Sequence, residues 1–112
     1  MTSHAEDRPV LVIVAYKPKP GKDAELLALT REHLPLLRAE GLATNRPATV
    51  CQAADGTLIE VFEWHAGAAQ KAHSNPKVLE LWSRYFAVCE AVPLNTLEES
   101  KMMFAGFTPI DL

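Results

Sequence analysis

The chain encodes more two-faced apolar strand than its helices can cover. Residues 10–16, 48–53, 57–64 and 101–107 read as strands, and most of them carry apolar side chains on both faces. A sheet that is apolar on both sides needs two covering layers. Long helical patterns occupy only residues 22–39 and 76–91, enough to shield one face. The other face is therefore expected to pack against a second copy of the chain.

Each element has a local cause. The run from Val10 to Tyr16 is rich in β-branched residues and too short for a helix, which suits a central strand. Pro18 and Pro20 cannot donate to a ladder and end it. Leu26, Leu29, Thr30, His33 and Leu37 then recur at three- and four-residue steps, as one face of a helix does. Pro35 removes a backbone donor inside that pattern and predicts a kink or break near Leu34. Gly41 suits the left-handed position after a helix end. Asp55-Gly56 lies between two extended runs and fits a tight hairpin turn, so the strands at 48–53 and 57–64 should be antiparallel neighbours. Residues 67–73 read as a short helical turn. Asn75 then caps a second long helix that opens on Pro76 and carries Val78, Leu79, Trp82, Tyr85, Phe86 and Cys89 as an apolar stripe.

At 112 residues, one domain is expected, with a flexible tail over residues 1–9 and a core over 10–107. A chain of this size buries roughly 65% of the surface it exposes when unfolded. The eleven Lys and Arg residues are scattered and the net charge is −3. Nucleic-acid affinity comes largely from clustered cations displacing counterions, so no nucleic-acid partner is expected. The longest apolar run, residues 10–16, is far short of the ~20 residues of a membrane-spanning helix, so no membrane partner is expected either. The polar, acidic start from Met1 to Arg8 is unlike an export signal, which points to a cytoplasmic protein. Cys51 and Cys89 lack metal or redox spacing and read as small buried hydrophobes.

The order β-α-β-β-α-β defines an α+β, ferredoxin-like arrangement, a four-stranded antiparallel sheet with both helices on one face. That arrangement alone does not specify function. Three local features narrow it: Lys19-Pro-Gly-Lys22 entering the first helix, Glu63-Trp64 closing the third strand, and Ala72-His-Ser-Asn-Pro76 opening the long helix. In this order and spacing the chain resembles the dimeric α/β-barrel proteins, in the antibiotic-biosynthesis monooxygenase-like branch, over roughly residues 10–107. The resemblance implies a homodimer in which two sheets pack face to face, with a ligand cleft in each subunit between sheet and helices. Proteins of this kind include oxygenases that use no cofactor and enzymes that degrade haem.

The residues that could carry chemistry cluster on two elements. Strand alternation places Leu58, Glu60, Phe62 and Trp64 on one face. Glu60 is the odd member. Desolvation among apolar neighbours favours a protonated carboxyl, which suits a proton acceptor for a phenolic or carbon acid; a salt bridge at the sheet margin is the alternative. Trp64 matches a tryptophan of the family, where such rings line the cleft, and it could equally seal the core. Phe62 shares its face. His73 matches the family's histidine before the second long helix, where imidazole could move a proton or ligate haem iron, or simply tie down the helix start. Trp82 and Tyr85, three residues apart, could form an aromatic wall or ordinary core.

Other chemistries are poorly served. The haem-degrading branch uses an asparagine in strand one, and residues 10–16 contain none, which counts against haem cleavage. The four histidines lack metal-ligand spacing, so no metal is expected. Gly21-Lys22-Asp23 is not a phosphate loop. The first expectation is a small monooxygenase working on an aromatic or quinol-like substrate with O₂ and no cofactor, with Glu60 or His73 as base. The second is a non-catalytic homodimer that binds an aromatic or lipophilic metabolite between Trp64, Trp82 and Tyr85.

Overall fold

A computed structural model of the protein describes residues 8–112; most of the tail expected over residues 1–9 lies outside the described residues. The chain folds as β1 (Val10–Pro18), α1 (Asp23–Ala39), β2 (Thr49–Gln52), β3 (Leu58–Trp64), α2 (Ala68–Ala72), α3 (Pro76–Val88), β4 (Cys89–Val92) and β5 (Thr108–Pro109). The strands form one antiparallel sheet in the order β4-β1-β3-β2-β5. The architecture is α+β and compatible with a ferredoxin-like fold, with five strands and three helices in place of the expected four and two.

The central pair is set by pattern. Val12 lies opposite Phe62 and Val14 opposite Glu60, so even-numbered residues of both strands share the face beneath the helices. α1 buries Leu26, Leu29, Thr30, His33, Leu34 and Leu37 against that face. Asp23 and Glu25 in its first turn and Arg38 in its last complement the helix dipole. Leu26 and Leu37 are fully enclosed, and truncating either to alanine should cost about 2–5 kcal/mol. The break expected near Leu34 does not occur, and α1 runs through Pro35. Pro35 and Arg31 lie on the exposed side, where water can hydrate the carbonyl that loses its partner. Asn75 caps α3 by accepting hydrogen bonds from the amides of Lys77 (3.0 Å) and Val78 (3.1 Å).

The C-terminal third departs from expectation. α3 stops at Val88 instead of Ala91, and Cys89 adopts an extended backbone with φ −154° and ψ 174°. The strand beside β1 is β4, formed by residues that continue the helical stripe in sequence. The amide of Lys19 bonds the Val88 carbonyl at 2.8 Å and holds the helix end against the end of β1. The strand expected at 101–107 is absent: Lys101 closes a 3-10 turn and residues 102–107 run irregularly before the two-residue β5 joins the opposite edge, beside β2.

This segment also changes how the second face is covered. Leu97, with Phe107 partly buried beside it, packs over Ala15, Ala53 and Ile59. The chain thus hides part of that face by itself. Leu11 and Ile13 on the same face of β1 remain 56% and 48% exposed.

Candidate functional site

Between the sheet and the helices lies an apolar cavity of about 340 Å³. β1 supplies Val12, Val14 and Tyr16, β3 supplies Phe62 and Trp64, and β4 supplies Cys89 and Ala91. The opposite walls are His33 of α1, Trp82, Tyr85 and Phe86 of α3, and His73 at the end of α2. The aromatic groups brace one another. Tyr16 stacks on Tyr85 with ring centroids 4.8 Å apart, and Phe62 meets Trp64 edge to face at 5.0 Å. Among the described residues, no lysine or arginine lines the cavity, so its walls hold nothing to neutralise a phosphate or another strongly anionic group.

Glu60 is placed behind this wall. It is 1% exposed and is not among the residues that face the cavity. Its Oε1 accepts a hydrogen bond from the Tyr16 hydroxyl at 2.9 Å and lies 2.9 Å from His33 Nδ1. The indole Nε1 of Trp82 lies 2.9 Å from His33 Nε2. An indole nitrogen can only donate, so His33 Nε2 is the acceptor and the ring proton sits on Nδ1, where it is donated to Glu60. His33 is thereby a neutral imidazole with both nitrogens engaged. Glu60 Oε2 has no partner among the described residues. The carboxyl meets two buried donors through one oxygen, not a basic residue at the sheet margin.

The two tyrosines remain phenols. Burial raises the Tyr16 pKa well above its ordinary value, and the adjacent Glu60 charge raises it further. Tyr85 is raised by the same two causes in the same order, and its hydroxyl lies 3.2 Å from Thr30 Oγ1. Burial pushes the Cys89 thiol from 9.0 to about 11, which leaves little thiolate at neutral pH.

His73 differs from His33 in being exposed and only half engaged. Its Nδ1 lies 2.7 Å from the Ala69 carbonyl, which can only accept, so the ring proton is on Nδ1. The basic Nε2 has no protein partner among the described residues. The ring sits edge-on to Trp82 with centroids 5.1 Å apart, which fixes it at the cavity wall.

Of the residues singled out in the sequence, Phe62, Trp64, His73, Trp82 and Tyr85 line one cavity, whereas Glu60 reaches it only through Tyr16 and His33. Sequence reasoning misses His33 and Tyr16 as site residues. The signal for them is an imidazole within the apolar stripe of α1, opposite a sheet face bearing an isolated carboxylate. Among the described residues, no three His, Cys, Asp or Glu side chains gather as metal ligands would. No helix of the described chain is long and apolar enough to cross a membrane. No protein-family profile, curated protein or solved structure matches the chain.

Proposed function

We propose that the protein is a small oxygenase of the dimeric α/β-barrel type that oxidises an aromatic, quinol-like or anthrone-like compound with O₂ and without a cofactor. The observation that carries this reading is His73: a fixed tautomer leaves one basic nitrogen without a partner among the described residues, at the wall of a cavity whose other polar groups are the Tyr16 and Tyr85 hydroxyls, the Trp64 and Trp82 indoles, the Cys89 thiol and the fully engaged His33. For an anthrone-like substrate, His73 Nε2 takes a proton from the ring methylene. The carbanion transfers electrons to O₂ and the two join as a peroxide. His73 returns its proton to the peroxide, the second methylene proton leaves, and O–O cleavage yields a ring carbonyl and water. The protein contributes a base and orientation against apolar walls.

Glu60 acts in this proposal through its neighbours. It orients His33, which in turn holds the Trp82 indole, and it orders Tyr16 in the opposite wall. The assembly proposed is a homodimer through the second sheet face, where Leu11 and Ile13 lie open and Met103 and Phe104, 92% and 87% exposed, project nearby in sequence from the covering segment.

Oxygen uptake by metal-stripped protein with a panel of quinols and anthrones tests the reading. Uptake should fall at least tenfold in His73→Ala and stay near that low level in His73→Gln, since an amide cannot act as a base. Uptake unchanged in both variants removes the catalytic role of His73. Ligand binding without uptake in the unmodified protein assigns the chain to the non-catalytic binders instead.

A further inference from the structure

A second cavity, of about 360 Å³, adjoins the first. Val12 and Trp64 form walls of both. The second is completed by Val10, Ala69 and Gly67, with the exposed His65 and Gln70 at its rim. Helix α2 borders both: the Ala69 carbonyl fixes His73 in the wall of the first cavity, while Ala69 itself lines the second. The helix-facing residues of β1 run in sequence through both cavities, Tyr16, Val14 and Val12 in the first and Val12 and Val10 in the second. At about 3.3 Å per strand residue, this track is about 20 Å long. It is apolar along its length until it reaches His65 and Gln70, whose side chains have no hydrogen-bond partner among the described residues.

We infer that the site takes an elongated ligand, an aromatic ring bearing an apolar arm that crosses Trp64 and lies over Val10 and Ala69 toward the polar rim. The inference rests on the reading of the first cavity as an aromatic site and adds the class of compound that fills it. Val10 is 45% exposed, whereas the later even-numbered residues of its strand are half-buried or buried, and an apolar arm would bury it. A ring alone would leave the second cavity to water against apolar walls.

The test is an anaerobic titration with phenol, 4-ethylphenol, 4-butylphenol and 4-hexylphenol, read by tryptophan fluorescence. Both tryptophans of the chain, Trp64 and Trp82, line the first cavity, so the signal reports the site. Each methylene taken from water strengthens binding by about threefold to fourfold, so Kd should fall at least tenfold from phenol to 4-butylphenol. In Val10→Glu and Val10→Asn, at a residue that lines only the second cavity, the gain with chain length should disappear while phenol itself binds as before. If a variant misfolds, nuclear Overhauser contacts from the hexyl chain to the methyls of Val10 and Ala69 in the unsubstituted protein decide the same point. Affinity independent of chain length, a gain retained in both variants, or contacts absent at both residues overturns the arm. Loss of phenol binding altogether overturns the aromatic site as well. Absence of oxygen uptake bears on neither, because binding is measured without O₂.

Discussion

Glu60 occupies a position that is costly for a carboxylate, since taking such a group out of water must be repaid by hydrogen bonds. One oxygen receives Tyr16 and His33, and the other receives nothing among the described residues. Removing it should therefore hurt chiefly by stranding its donors. Glu60→Ala is expected to cost about 2–5 kcal/mol in urea unfolding, because a buried hydroxyl and a buried imidazole N–H both lose their acceptor. Glu60→Gln keeps an acceptor oxygen but buries an amide donor without a partner, and should cost about 1–3 kcal/mol. If both variants unfold with the parent midpoint, the network contributes nothing to stability. His33 explains why the sequence leads only part of the way here. Its place in the stripe of α1 is readable, but whether its ring meets solvent, a metal or a carboxylate depends on which strand residue lies across from it, and that is a long-range pairing. Glu60 is recognisably anomalous for its face, and its seat behind the wall follows from the same unseen pairing.

At the scale of elements, β1, α1, β3 and the start of α3 are legible because each has its own local signal: a β-branched run, a helical stripe, a period of two, or an Asn-Pro cap. The end of α3 is not. Cys89 continues the helical spacing, yet its backbone is extended and its residues pair with β1, an outcome decided by an open sheet edge and by the Lys19 amide reaching Val88. The terminal strand is misplaced for a related reason: residues 101–107 are apolar enough for a strand, but the β1 edge is already paired with β4 and the chain joins the sheet only at Thr108, beside β2. Cys89 offers a probe of this junction. With its pKa at about 11 against an ordinary 9.0, it should carry about a hundredfold less thiolate than an unperturbed cysteine at pH 8. In a Cys51→Ser variant, thiol labelling should be slow at pH 8, rise steeply only toward pH 11, and slow further when 4-butylphenol fills the cavity. The same preference for the protonated thiol means that its share of stability is complete below pH 9 and is lost as pH rises through about 11. Rapid labelling at pH 8 would show an open thiol instead.

For the whole molecule, the governing quantity is the part of the second sheet face that Leu97 and Phe107 fail to cover. Leu11 and Ile13 are neighbours on that face, two residues apart along β1 with Val12 pointing the other way. Sedimentation at micromolar concentration is expected to give a dimer, and the double change Leu11→Glu with Ile13→Glu a folded monomer. A parent protein that sediments as a monomer would remove the barrel from the proposal, while the helix-side cavity would stand unaffected.

The junction of α3 and β4 has a mechanical corollary. Val88 is the last residue of the helix and Cys89 the first of the strand, so no slack separates a wall of the cavity from the edge of the sheet. A guest that presses Trp82 and Tyr85 outward must pull on the ladder holding Ala91 to Tyr16, and one that draws them inward must tighten it. Amide exchange at Glu90 and Val92, which do not line the cavity, should then respond to a bound phenol, while exchange in β5, on the far edge, keeps its pace.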